Sequence, residues 1–215
     1  MDDTHGVTSS PRNASTSSSQ EQILRLLSYN IQVGITTRHY RQYITNSWKH
    51  VLPYPERMET LRSIGQFIAA FDIVGLQELD TGSLRSGFVD QAEYLAQVAM
   101  FPHWYSRTNR RIGRFAQHAL GLLGRYRAHR IVEHRLPSAI PGRGALEVHY
   151  GEHTYPSWRP AQAFDHILMS PALEVREAKV FPVAYSDHLP VGLELVLPPE
   201  VRLDDAPTEL ECVVE

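Results

Sequence analysis

The sequence predicts a single layered domain of the α/β (α+β) class. Along residues 23–198, apolar residues follow strand-like runs and helix-like spacings of three and four in turn. Strand patterns outnumber helix patterns, and both helix patterns fall early in this span, which is typical of sheets covered by helices. The chain has 215 residues, 42% of them hydrophobic, enough for one sizeable core but not comfortably for two.

The two ends of the chain differ in composition from the part between them. Residues 1–22 are rich in Ser, Thr and Asn and predict a disordered leader, whereas residues 199–215 are rich in Glu and Asp and predict an acidic tail. The leader carries no apolar signal-peptide run. No apolar run approaches the roughly 20 residues of a membrane span, so we expect a cytoplasmic protein without a transmembrane segment, folded over residues 23–198.

The first elements follow from periodicity. Residues 23–30 form an apolar run that ends on polar residues, as a core strand does, and residues 57–71 carry apolar side chains on one helical face. Residues 73–78 are too apolar to be half exposed, which predicts a strand covered on both faces. A second helix is predicted over 91–100. The remaining strands are predicted at 119–123, 145–150, 164–169, 174–181 and 191–197.

Charge and cysteine content exclude some classes of protein. The net charge of −3 argues against nucleic-acid binding through bulk positive charge, and the lone cysteine excludes an internal disulfide or a cysteine-based zinc site. Residues 107–135 nevertheless hold eight arginines and one acid. This stretch is either a basic patch for a polyanionic substrate or a lipid surface, or a solvated face. Four aromatic residues could either stack on bases or belong to the core: Tyr29, Trp104, Tyr105 and Trp158.

Polar side chains suited to chemistry stand beside the predicted strands. Asn30 and Glu78 each follow a buried strand, the pair Asp187-His188 follows a third, and Asp165-His166 stands where another begins. Taken singly, such residues are common at strand ends and turns. Together they are more specific, because they lie within four blocks that occur in a fixed order. These blocks are LLSYNI (26–31), DIVGLQE (72–78), FDHIL (164–168) and SDHLPV (186–191).

The four blocks resemble the signature blocks of the endonuclease/exonuclease/phosphatase superfamily, and the resemblance runs from about Leu24 to Leu197. It implies a two-sheet α/β sandwich of the deoxyribonuclease-like type that hydrolyses phosphate esters with Mg²⁺ or Mn²⁺. The substrate would be a phosphodiester or phosphomonoester. Nucleic acids, phospholipid head groups and inositol phosphates all remain open, as does the oligomeric state.

The resemblance also implies a role for each residue of the predicted site. Glu78 matches the principal metal ligand, Asn30 the amide that helps to hold metal and phosphate, and Asp187 the residue that orients water or the metal. His188 matches the histidine that contacts the scissile phosphate, as a general base or as a proton donor. Asp165 matches the carboxylate that pairs with it.

Side-chain alternation adds two expectations to these roles. Neighbours on a strand point to opposite faces, so Asp187 and His188 share a site only if they lie in the loop before the strand. By the same argument His166 points away from a site that Asp165 faces, and we interpret His166 as structural.

The chain departs from the family pattern in two places. Gln32 stands where an acid often follows the Asn30 position, and no segment with Thr-His and Gly-Asp-x-Asn separates Tyr150 from Tyr155. We therefore expect a sandwich that lacks internal elements of one sheet, and we assign no catalytic role to His153-Thr154. Either the chain is a shortened metal-dependent phosphoesterase, or it is a non-catalytic module that binds phosphate or nucleic acid, or a partner completes its site. The retained residues favour the first.

Overall fold

The computed structural model describes residues 21–32, 55–112, 116–128, 130–133, 147–149, 152–201, 203 and 211–214. Most of the predicted leader therefore lies outside the described residues, and so does the part of the predicted acidic tail at 204–210. None of the described helices is long and apolar enough to cross a membrane.

The described part of the chain contains two α-helices, one 3-10 helix (Leu84–Ser86) and ten strands. Helix α1 (Pro55–Ile68) has a proline at its first position, where the missing N–H costs nothing. Helix α2 (Gln91–Ala99) is capped by the preceding Asp90, whose side chain accepts hydrogen bonds from the N–H groups of Ala92 and Glu93. The elements are β1 (Ile23–Asn30), α1 (Pro55–Ile68), β2 (Ile73–Leu79), α2 (Gln91–Ala99), β3 (His103–Ile112), β4 (Ala116–Gly124), β5 (Arg130–Glu133), β6 (Glu147–His149), β7 (Ile167–Met169), β8 (Glu174–Val180), β9 (Val191–Val196) and β10 (Glu211–Val214).

Six strands form the main sheet, in the order β3-β4-β2-β1-β9-β8. Strands β1 and β2 run parallel, with Asn30 opposite Gln77, and the other neighbours in this sheet are antiparallel. Strands β6 and β7 form a separate antiparallel pair, and β5 pairs with β10 in parallel. The parallel β1-β2 pair is important for the site, because parallel strands bring their carboxyl ends to the same edge.

Each face of the main sheet packs against a different layer. On one face, Leu27, Tyr29, Val74 and Leu76 contact α1 and α2, and this cluster is the larger core. On the other face, Leu24 and the β9 leucines pack against Met169 of β7. The period-2 alternation along β1 sends successive side chains to opposite layers, which confirms the predicted α/β (α+β) class.

Several element boundaries differ from the predictions. The first helix ends at Ile68, before the predicted residue 71, and strand β7 begins at 167 rather than 164. Strand β3 was not predicted because its sequence, HWYSRTNRRI, has few apolar residues. As the edge strand of the sheet, it pairs with β4 alone and has less apolar surface to bury. In the described residues, the face opposite the helices is covered by β7 of the short β6-β7 pair.

Candidate active site

Strand order brings four of the five predicted site residues, all except Asp165, to one edge of the main sheet. Asn30 ends β1, and Glu78 lies next to Gln77, the partner of Asn30 on β2. Strand β9 runs antiparallel to β1 and begins at Val191 opposite Ser28. The loop before β9, which carries Asp187 and His188, therefore lies at this same edge.

Asn30 and Glu78 contact each other directly. The Asn30 Nδ2 donates to Glu78 Oε1 at 3.2 Å, and the Asn30 Oδ1 accepts from the Gln32 N–H at 3.1 Å. Glu78 has a left-handed backbone with φ of 57°, and the pairing of β2 with β4 shifts register between Leu76 and Leu79. Such a bulge bends the strand and changes the direction of a side chain. At this bend, the Glu78 carboxylate reaches the side chain of Asn30.

The loop that follows Glu78 is anchored by a buried carboxylate. Asp80 is fully buried, and it accepts hydrogen bonds from the Ser83 N–H at 2.7 Å, the Gly82 N–H at 3.1 Å and the Ser86 hydroxyl at 3.0 Å. These bonds satisfy a charge that would otherwise be costly to bury. They hold the chain immediately beyond the strained backbone of Glu78.

His188 and Asp165 form a hydrogen-bonded pair. The His188 Nδ1 lies 2.7 Å from Asp165 Oδ2, and the two side chains are 14% and 9% exposed. Burial lowers the pKa of His188, but the hydrogen bond to Asp165 and the charges of Asp165, Asp187 and Glu78 outweigh it. The pKa of His188 is therefore raised above its ordinary value.

Asp187 interacts electrostatically with both His188 and Glu78. Its side chain is buried, and its Oδ1 accepts a hydrogen bond from the Ser186 hydroxyl at 3.2 Å. Burial and the charge of Glu78 raise the pKa of Asp187 above its ordinary value, against the opposing effect of His188. Asp187 and His188 both lie in the loop before β9, as the alternation argument required for a shared site.

The segment from Thr154 to Gln162 packs against this loop, a contact that the sequence did not predict. The Thr154 hydroxyl donates to Asp165 Oδ2, and the Ser157 N–H donates to the Asp187 carbonyl at 2.7 Å. The ring of Tyr155 lies 4.8 Å from that of His188. Sequence patterns give no signal for these contacts, because they join residues far apart in the chain across loops without periodicity.

The other predicted residues fall outside this cluster. His166 Nδ1 is buried and has no hydrogen-bond partner among the described residues, and the interpretation of His166 as structural stays a prediction. Tyr29 is fully buried in the helix-side core, and burial raises its pKa, so it cannot stack on a base. Trp104 on β3 is 48% exposed and lies at the start of that strand.

The predicted basic patch is partly structural. Arg125 donates to the backbone carbonyl oxygens of Ala69, Phe71 and Met100, and its guanidinium lies 4.8 Å from the centre of the Phe101 ring. This arginine therefore bonds the backbone at the carboxyl ends of both helices, which is a structural role. The side chains of five of the other arginines (110, 111, 114, 130 and 135) lie outside the described residues.

The oxygen donors at this edge suit a hard divalent cation. The charge of Glu78 raises the pKa of Asp187, so the two carboxylates repel each other. The Asn30 amide binds Glu78 through its nitrogen, and its oxygen faces the Gln32 N–H. A cation would relieve that repulsion, and Mg²⁺ commonly keeps several waters around one or two carboxylates. Within the described residues, no three His, Cys, Asp or Glu side chains cluster as a complete metal site.

Comparisons with known proteins support the fold. No protein-family model matches the chain, and no curated protein matches it. Solved structures of endonuclease/exonuclease/phosphatase proteins do match. One from Beutenbergia cavernae has a TM-score of 0.54 at 14% identity, over 81% of this chain and 72% of that one. One from Bacteroides thetaiotaomicron has a TM-score of 0.51 at 13% identity, over 83% and 99%. A third, from Leptotrichia buccalis, has a TM-score of 0.50 at 11% identity, over 79% and 98%.

Proposed function

From the premise that this chain has the endonuclease/exonuclease/phosphatase fold, we propose that it is a divalent-metal-dependent phosphoesterase. It would hydrolyse a phosphodiester or a phosphomonoester, with a nucleic acid or a lipid head group as candidate substrates. One observation carries the proposal. A carboxylate-amide pair, a buried aspartate and a histidine-aspartate pair meet at one edge of the main sheet.

The proposed cation is Mg²⁺ or Mn²⁺, held by Glu78, Asn30 and Asp187. When bound, such an ion polarises the phosphoryl oxygen and stabilises charge on the leaving oxygen. Asn30 contributes in a second way, because its Nδ2 holds the Glu78 carboxylate in one orientation. Asp187 would orient water at the same edge.

His188 is proposed to act on the phosphate in its charged form. Its Nδ1 is occupied by Asp165, so Nε2 is the nitrogen that can donate to a phosphate oxygen. Burial lowers the pKa of His188, but the hydrogen bond to Asp165 raises it, which supports the role of proton donor over that of general base. Asp165 fixes the tautomer and orientation of the ring, as the acid of an acid-histidine pair does.

A second candidate function is phosphate binding without turnover. The absence of any Gly-Asp-x-Asn segment favours it, because in the family that the chain resembles this segment binds the attacking water. A binding module would retain affinity for phosphate through the same cation and His188. The two candidates therefore differ in turnover and agree in binding.

Hydrolysis of bis-p-nitrophenyl phosphate, p-nitrophenyl phosphate and plasmid DNA, with and without Mg²⁺, distinguishes the two. We expect Mg²⁺-dependent turnover that is lost in Glu78→Gln and His188→Gln. The matched control is Glu59→Gln, at an exposed position of α1 far along the chain from the site. If wild-type turnover does not exceed that of the two variants, but the wild type binds inorganic phosphate in a Mg²⁺-dependent way, the protein is the binding module instead.

A further inference from the structure

Thr154 is fully buried, and it bonds to Asp165 and to the loop that carries His188 through different groups. Its hydroxyl donates to Asp165 Oδ2, the same oxygen that lies 2.7 Å from His188 Nδ1. Its carbonyl oxygen accepts from the N–H of Leu189, the residue after His188, at 2.8 Å. A single residue thus holds the acid by its side chain and the histidine loop by its backbone.

The hydroxyl matters because a carboxylate does not hold its own orientation. The terminal torsion of an aspartate side chain is broad, so the Asp165 carboxylate needs fixed donors to keep one oxygen directed at His188. Asp165 is 9% exposed, which leaves little room for water to supply those donors. With two donors on Oδ2, rotation of the carboxylate would break both hydrogen bonds together.

We propose that Thr154 is a positioning residue for His188, acting through Asp165. The proposal rests on the phosphoesterase function proposed above. Thr154 does not reach the substrate in this role. It keeps the Asp165 carboxylate in the orientation that directs the His188 ring toward the phosphate.

The side-chain role can be separated from the structural role of the same residue. The backbone of Thr154 bonds to Gln162 and Leu189 through its N–H and carbonyl groups, and these bonds do not depend on the side chain. Thr154→Val keeps the shape and the backbone bonds and replaces the hydroxyl with a methyl group. Thr154→Ser keeps the hydroxyl and removes only a methyl group.

The matched control removes a threonine hydroxyl elsewhere in the fold. The Thr108 hydroxyl on β3 lies 2.8 Å from that of Thr81, and this pair touches neither Asp165 nor His188. Thr108→Val therefore reports the cost of losing a threonine hydrogen bond without a change at the histidine. It should leave kcat at the wild-type value.

Two measurements test the proposal, one of which does not need turnover. Steady-state hydrolysis of bis-p-nitrophenyl phosphate with Mg²⁺ should show kcat reduced about 10- to 100-fold in Thr154→Val with KM unchanged, since displacing an oriented group costs rate more than binding. Thr154→Ser should keep most of the activity. In the metal-free protein, NMR should detect the His188 Nδ1 proton as a downfield signal in wild type and Thr154→Ser, weakened by solvent exchange in Thr154→Val.

The outcomes separate failure of this inference from failure of the proposed function. The positioning role would be overturned if Thr154→Val had the kcat of the wild type. It would also be overturned if Thr154→Val lowered the melting temperature as Thr108→Val does but kept the His188 Nδ1 signal intact. If the wild type shows no turnover, the phosphoesterase proposal fails, and the Nδ1 signal alone then decides whether Thr154 orients His188.

Discussion

Asp165→Asn tests the histidine-aspartate pair by removing one charge at nearly constant shape. The pair is joined at 2.7 Å, and both side chains are largely buried, so solvent screens the interaction little. A hydrogen bond to a charged group contributes about 1.5–3 kcal/mol. We expect the free energy of unfolding of the metal-free variant to fall by about that amount at about pH 5.5, where the His188 imidazole is charged.

The loss should depend on pH in a definite direction. The pKa of His188 is raised in the folded protein, so the stabilising contribution is complete below the ordinary value of 6.5 and is lost as the pH rises through the raised value. Asp165→Asn removes the charge that contributes most to raising the pKa of His188, whereas the burial that lowers this pKa remains. The pKa of His188 should therefore fall. The stability difference between wild type and variant should therefore shrink toward about pH 8.5.

Urea unfolding of the metal-free protein at both pH values, followed by circular dichroism, measures these free energies. A double-mutant cycle with His188→Gln isolates the pair from other effects of each substitution, and an NMR titration follows the His188 ring directly. Additive effects in the cycle, or an equal loss at both pH values, would refute the reasoning that a charged pair stabilises this edge.

Three further predictions concern other parts of the molecule. Asp187→Asn should raise the free energy of unfolding of the metal-free protein at neutral pH, because it removes a buried carboxylate next to Glu78. The same variant should lose turnover. A lower free energy of unfolding in urea would contradict this prediction. Arg125→Met should lower the melting temperature, because the carbonyl oxygens of Ala69 and Phe71 lose their donor. Its affinity for phosphate, measured by calorimetry, should not change. A weaker affinity would support the basic-patch interpretation of Arg125. Gly65→Ala should lower the free energy of unfolding in urea by about 1 kcal/mol, because its Cβ would lie 2.8 Å from Val98 Cβ and the overpacking exceeds the gain in helix propensity. A stabilised variant would show that α1 and α2 can move apart to accommodate the methyl group.

The elements that build the core could be predicted from the amino-acid sequence. Strands β1 and β2 and the two helices carry long apolar patterns, because each must bury a full face, and burial leaves a periodic trace in the chain. The order of the four blocks also predicted the fold that the structural comparisons support. The catalytic roles of Asn30, Glu78, Asp165, Asp187 and His188 stay a prediction. Strand order brings all of them except Asp165 to one edge of the main sheet, and Asp165 joins them through its hydrogen bond to His188.

Which polar residues serve the site and which serve the fold depends on how distant parts of the chain pack together. Thr154 and Arg125 have no periodic signature, since their partners lie across loops or on backbone carbonyl groups. Edge strand β3 likewise could not be predicted from the apolar pattern, because it buries less apolar surface than the central strands. A hydrogen bond depends on atoms within about 3 Å of each other in space, and for residues far apart in the chain that distance is set by packing and not by spacing.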